Sequence, residues 1–154
     1  MTLEELEARV RHLEDTEAIE KLTATFTYLI DDRDWQSLLE LFTEDCKYDA
    51  GIAQYEGREG LIKFFRDDLP AGFSFTAHML HNTVIDVNDD KAIGRWYVEI
   101  PATRAQENRA LWVLTKYENE YVKVGGEWRF KNFVSNIVYI TPFDEGWAKT
   151  KRYV

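Results

Sequence analysis

The first thirty residues place apolar side chains on a helical repeat, at Leu3, Leu6, Val10, Leu13, Ile19, Leu22, Phe26 and Leu29. This stripe reads as core packing or a subunit contact. A kink or break is expected near "EDTEAIE", where Thr16 stands where a second helix would begin. A short helix follows in "DRDWQSLLELF", with Asp34 at its N-cap and Trp35, Leu38, Leu39 and Phe42 as its buried stripe. "CKYDA" reads as a short strand. "EGREGLIKFFRDDL" returns to the helical period and buries Leu61, Ile62, Phe65 and Leu69 before Pro70 and Gly72 stop it.

From residue 75 onward the period becomes alternating. Strands are expected at about 76–87, 91–100, 109–122 and 127–140, with "NDDK" and "KVGGE" as hairpin turns. "IPATRAQEN" is too long for a tight turn and suits a bulge or a flexible rim. Helices first and long antiparallel strands afterwards define an α+β chain. No repeat and no low-complexity linker interrupts residues 1–154, so one domain is expected.

Composition narrows the function. With 45% hydrophobic and 14% aromatic residues, the chain has enough apolar material for a real core. A formal charge of −9 disfavours nucleic acid as a partner, since a phosphate backbone calls for a basic stripe. No run approaches a membrane-spanning length of roughly 20 apolar residues. The single cysteine, Cys46, has no internal partner for a disulfide; with no signal-like segment, a cytoplasmic location is expected.

The chemistry centres on "FTAHMLHNTVI", which holds two of the three histidines. In a regular strand His78, Leu80, Asn82, Val84 and Asp86 share one face, and Met79, His81, Thr83 and Ile85 the other. The two histidines therefore point apart and do not chelate a metal together. With only His12 besides, and no cysteine cluster, no metal site is expected. Histidine is suited to move protons near neutral pH, and a carboxylate can fix its tautomer. Asp31 and Asp32 after "FTYLI", and Asp49 after Tyr48, are the candidates. No nucleophile elbow surrounds Ser37, Ser74 or Ser135, and neither "GREG" nor "VGG" has the spacing of a phosphate loop. The later strands mix polar and apolar residues on both faces, which suits a bent sheet enclosing a cavity on one side and meeting a partner subunit on the other.

Several segments together carry a resemblance: "EAIEKLTATFTYLIDDRDWQSLLELF", "YEGREGLIKFF", "AHMLHNTVIDV", "AIGRWYVE" and "NEYVKVGGEWRFKNFVSNIVYITPF". Over about residues 15–143 the chain resembles the SnoaL-like family of the nuclear-transport-factor-2-like superfamily, in the branch of bile-acid 7α-dehydratase, scytalone dehydratase and hexachlorocyclohexane dehydrochlorinase. The resemblance implies a cone-shaped α+β barrel, with helices on a curled sheet and a deep pocket at the open end. It implies a cofactor-free lyase, commonly a trimer and in other relatives a dimer, with Asp31 and His78 in the catalytic positions. The tyrosine of the bile-acid enzyme falls at Phe26 here, and its second aspartate at Ile100. The expected function is elimination of water or halide from a small cyclic or hydrophobic substrate, with His78 as general base oriented by Asp31. An isomerase or cyclase using the same base, and a non-catalytic ligand-binding protein, are the alternatives. Tyr28, Tyr48, Leu80, Val84, Trp96, Trp112 and Phe133 are the expected pocket residues. The outer face of the sheet is the expected subunit contact.

Overall fold

One unbroken helix, α1 (Leu3–Asp31), opens the chain in the computed structural model, which describes residues 1–153. Thr2 starts it with a capping box: its hydroxyl accepts from the Glu5 N–H, and the Glu5 carboxylate accepts from the Thr2 N–H. The expected break at "EDTEAIE" does not occur. Thr16 instead donates its hydroxyl to the His12 carbonyl at 2.8 Å, which satisfies it inside a helix. Only the second half of α1 packs on the body, through Ile19, Thr23, Phe26, Thr27 and Ile30. Leu3, Leu6, Val10 and Leu13 are exposed, so the sequence stripe is not one core face.

Helix α2 (Trp35–Leu39) begins at Asp34, whose carboxylate accepts from the Ser37 N–H. Strand β1 (Phe42–Asp49) starts earlier than "CKYDA" suggests and takes Phe42 out of the helical stripe. After β2 (Gln54–Glu56) comes a helical run of three parts: α3 (Gly57–Ile62), a π-helical segment (Lys63–Asp68) and α4 (Leu69–Gly72). The wider π turn lets the adjacent Phe64 and Phe65 both be buried. Pro70 falls at the start of α4, so the run passes it and ends at Gly72.

Five strands follow: β3 (Phe73–Thr76), β4 (Met79–Asn88), β5 (Lys91–Arg104), β6 (Arg109–Val124) and β7 (Glu127–Pro142). The sheet runs β2-β1-β7-β6-β5-β3, with β4 also paired to β5. All pairs are antiparallel except β1 with β7, and the two ends of the sheet do not meet. This α+β arrangement is a curled, unclosed mixed sheet with α1 packed on it. Aromatic rings fill the join: Phe26 of α1 lies 4.8 Å from Phe133 and 5.6 Å from Phe130 between ring centres. Gly94 leaves room for the Trp96 indole, since a Cβ there would meet the ring at 2.3 Å.

Two strand readings need correction. β5 and β6 stay paired as far as Arg104 opposite Arg109, so "IPATRAQEN" is mostly strand closed by a four-residue turn, with Asn108 at φ 48°. Within β4, His81 lies opposite Tyr97 but Val84 lies opposite Arg95, so one extra residue bulges out, and Asn82 has φ 53°. The bulge reverses the alternation. Ile85 and Val87 pack toward the core, whereas Val84 faces out and is 46% exposed.

Candidate active site

His78 sits in the gap between β3 and β4, where the chain leaves the ladder for two residues. Its backbone N–H does not bond to β5. It donates instead to Asp31 Oδ2 at 2.8 Å, and the imidazole Nδ1 lies 2.6 Å from Asp31 Oδ1. One carboxylate thus holds both the main chain and the ring. The His78 side chain is only 7% exposed.

Asp31 is the last residue of α1, where the negative end of the helix disfavours an anion. Burial also pushes its carboxyl upward, but the bonds from the His78 ring, the His78 N–H and the Thr76 hydroxyl, with the histidine charge, outweigh this and leave it below the ordinary aspartate value. Thr76 Oγ1 donates to Asp31 Oδ1 at 3.0 Å and accepts from Arg33 Nη1 at 2.9 Å. Arg33 also donates to the carbonyls of Ile30 at 2.6 Å and Phe73 at 3.2 Å. Arg33 therefore ties the end of α1 to β3 beneath the pair.

Arg33 was not visible as a site residue in the sequence, although "DDRD" carried a signal. It has φ 60° just beyond the helix end, a place that favours glycine. A side chain kept in that conformation points to work done by the side chain.

The His78 ring lines a cavity of about 130 Å³. Its walls are mostly apolar: Ile30, Phe64, Leu69, Ile100, Val113 and Ile140. Ile100 stands in the wall, and Phe26 lies in the core, fully buried. Tyr48 and Tyr117 also line the cavity, and neither hydroxyl has a hydrogen-bond partner among the described residues. Burial pushes both phenols upward, with Tyr117 adding to the effect on Tyr48 and Asp31 to that on Tyr117, so both stay protonated donors. Thr115 and Ser135 share a 2.8 Å hydroxyl contact in the same wall, and Tyr55 donates to Asp68 at 2.8 Å at its edge.

The expected pocket residues divide sharply. Tyr48 lines this cavity, and Phe133 backs it, with its ring stacked 4.7 Å from Tyr48. Tyr28 does not line it: it is 74% exposed, on the side of α1 away from the sheet. Leu80 packs on the core and Trp96 lies buried beside Tyr121, so neither reaches the His78 cavity. Val84 is turned outward by the bulge, and Trp112 stacks on Phe143. Tyr117, Thr115 and Ser135 were missed because hydroxylated residues in alternating strands read as ordinary packing.

Asp49 is occupied elsewhere, accepting from the Gly51 N–H at 2.8 Å and from Gln54 at 3.1 Å. His81 and His12 are exposed. A larger groove of about 660 Å³ contains neither Asp31 nor His78; its lining mixes charged side chains, among them Lys47, Glu118 and Glu120, with apolar ones, among them Tyr48 and Phe133. Among the described residues no group of three His, Cys, Asp or Glu side chains is placed to hold a metal ion. No helix among them is long and apolar enough to cross a membrane.

The fold that carries this paired aspartate and histidine, a helix on a curled sheet, is shared with known proteins. The chain belongs to the SnoaL-like domain family, whose model matches residues 11–134. It is similar to an uncharacterized protein of Mycobacterium tuberculosis, 27% identical over 126 residues, covering 78% of this chain and 83% of that protein. Among solved structures it is similar to hexachlorocyclohexane dehydrochlorinase Type2, with a TM-score of 0.82, 25% identity, and 88% and 93% of the two chains covered. A candidate scytalone dehydratase from Novosphingobium aromaticivorans superposes with a TM-score of 0.77 and 27% identity over 86% and 89% of the chains.

Proposed function

We propose that this protein is a cofactor-independent lyase that eliminates water or halide from a small, largely apolar substrate. The observation that carries this reading is the 2.6 Å contact between Asp31 Oδ1 and His78 Nδ1 on a ring that lines the cavity. The carboxylate accepts the Nδ1 proton and fixes the tautomer. Nε2, which has no protein partner among the described residues, is left with its lone pair free. In the reaction Nε2 takes a proton from a substrate carbon. The C–H electrons become the new double bond, and the neighbouring carbon releases its leaving group. A halide departs as the anion; a hydroxyl departs as water after receiving a proton from the imidazolium. Asp31 stabilises that imidazolium.

The cavity bounds the substrate. An apolar cavity of roughly 150 Å³ accepts a single benzene ring, so about 130 Å³ suits the insertion of a group of about one ring. The dehydrochlorinase and the scytalone dehydratase candidate, similar in fold, are named for loss of hydrogen chloride and of water, which supports the class of reaction. The two phenols would also suit proton transfer beside a carbonyl, so an isomerase is the second reading.

The test is incubation of the purified protein with hydroxylated and halogenated single-ring compounds, followed by mass spectrometry. Loss of water or hydrogen halide with wild type but not with H78A supports the lyase. Products of unchanged mass in ordinary water that gain one mass unit per exchanged site when the reaction is run in D2O support the isomerase. Equal turnover by H78A would remove both.

A further inference from the structure

We infer that the first half of α1 is a two-stranded, parallel pairing element that joins this chain to a second copy of itself. Every residue from 1 to 14 is exposed; Ala8, Arg11 and His12 border a groove beside the β4–β5 turn, and the opposite side of the helix meets nothing of its own chain. On it Leu3, Leu6, Val10 and Leu13 are spaced by three, four and three, the a and d positions of two heptads. At about 100° per residue, this stripe lies roughly 140° around the helix from Ile19, Thr23, Phe26, Thr27 and Ile30, which face the sheet. It is a second apolar face, turned away from its own core. Leu3 and Leu13 are 72% and 67% exposed, too much for side chains aligned in a row without a partner.

The flanking charges identify that partner. With Leu3 at a, Arg9 occupies a g position and Glu14 the following e position. In a parallel pair Arg9 of one copy meets Glu14 of the other; in an antiparallel pair glutamates Glu7 and Glu14 would meet instead. Among the described residues Arg9 has no carboxylate partner within the chain, and Glu14 has no cationic one. Val10 at a with Leu6 and Leu13 at d favours two strands over three. Two heptads are short for free peptides, but here the packed half of α1 and the Thr2–Glu5 capping box hold the helix before any partner arrives. An anionic membrane surface fits poorly, because residues 1–14 carry four glutamates against two arginines.

The test uses the full chain. Sedimentation equilibrium at micromolar concentration should give the double-charge variant L6E/L13E half the mass of wild type, with an unchanged circular dichroism spectrum and melting curve. Separately, Leu6→Cys should form a disulfide-linked dimer on oxidation, since the native Cys46 is buried and does not compete. R9E should weaken the association, and R9E/E14R should restore it. Equal masses for wild type and L6E/L13E would overturn the proposal. So would a threefold drop in mass, which marks a three-stranded seam, or an L6C chain that stays unlinked, which excludes parallel register.

Discussion

Asp31 grips His78 at two points, through Oδ2 to its backbone N–H at 2.8 Å and through Oδ1 to its ring at 2.6 Å. The two residues lie 47 positions apart, so this contact fixes the end of α1 against the gap between β3 and β4 as well as orienting the base. Side chains that act as a unit give non-additive losses. H78A is expected to reduce kcat/KM by roughly 10²–10⁴, D31N by a similar factor, and the double variant by little more than either. Additive losses, with circular dichroism confirming the fold, would show that Asp31 does not act through His78.

The same contact predicts an acid limb in stability. The Asp31 carboxyl is held below its ordinary value of 3.8, so between the folded and unfolded values the unfolded chain binds the extra proton. The stabilisation is therefore complete above the unfolded value and is lost as pH falls through the folded one. Melting temperatures of wild type and D31N should differ most above about pH 4 and converge below it. A gap that stays constant down to pH 2 would assign the loss in D31N to packing instead.

His81 should be dispensable for turnover. It is exposed and pairs in register with Tyr97, whose side chain is also on the outer surface. H81A should keep kcat/KM within about twofold of wild type, as expected of a surface substitution away from the site. A loss matching that of H78A would mean that the bulge at Asn82 brings the second ring inward.

How far these residues could be read in advance depended on whether their placement was local. Asp34 announces α2 by capping it, and the change from helical to alternating period marks where the sheet begins. His78 and His81 point apart as alternation demands, yet His78 does so from a gap in the sheet, because its N–H is diverted to Asp31. Alternation failed three residues beyond His81: nothing near Val84 reveals that Asn82 takes up an extra residue against β5. The parallel pairing of β1 with β7 joins strands about 85 residues apart and leaves no periodic trace. The order of segments, through family resemblance, conveyed the overall fold better than any single pattern did.

The outer face of the sheet is proposed as a subunit contact independent of the α1 stripe. Ile93 is 47% exposed there, and Tyr97, 38% exposed, carries the Lys116 ammonium 5.0 Å from its ring centre. A trimer through this face is expected, as the family resemblance suggests. An I93D/Y97D variant should then sediment as a smaller species while keeping its helical and strand signal. A wild-type chain found only at the 18.1 kDa monomer mass would defeat this proposal and the α1 pairing together.

Two tyrosines of β6 offer the sharpest separation of function from folding. Both are buried, Tyr117 at 3% and Tyr121 at 1% exposure, and they stand four residues apart on the inward side of one strand. Tyr121 is satisfied within the protein, with its oxygen 2.8 Å from Thr23 Oγ1 and accepting from Asn119 at 3.3 Å. Removing its hydroxyl strands the Asn119 amide and leaves Thr23 only its bond to the Ile19 carbonyl, so Y121F should lose about 1 kcal/mol of stability and leave turnover nearly intact. Tyr117 has no such partner and faces the cavity with His78. Its hydroxyl is a neutral donor on the cavity wall, available in the proposed reaction to an oxygen or halogen that gains negative charge as the proton leaves. Y117F removes that donor without stranding any protein group, so its melting temperature should equal or exceed wild type. Its kcat/KM should nevertheless fall by roughly 10²–10³, the usual cost of losing one such donor. The pair of variants is read by calorimetry and by the elimination assay in parallel. If Y117F is fully active, or if it destabilises the fold as Y121F does, the phenol is a packing group and the charge that develops on the substrate is met elsewhere, with Tyr48 the next residue to change.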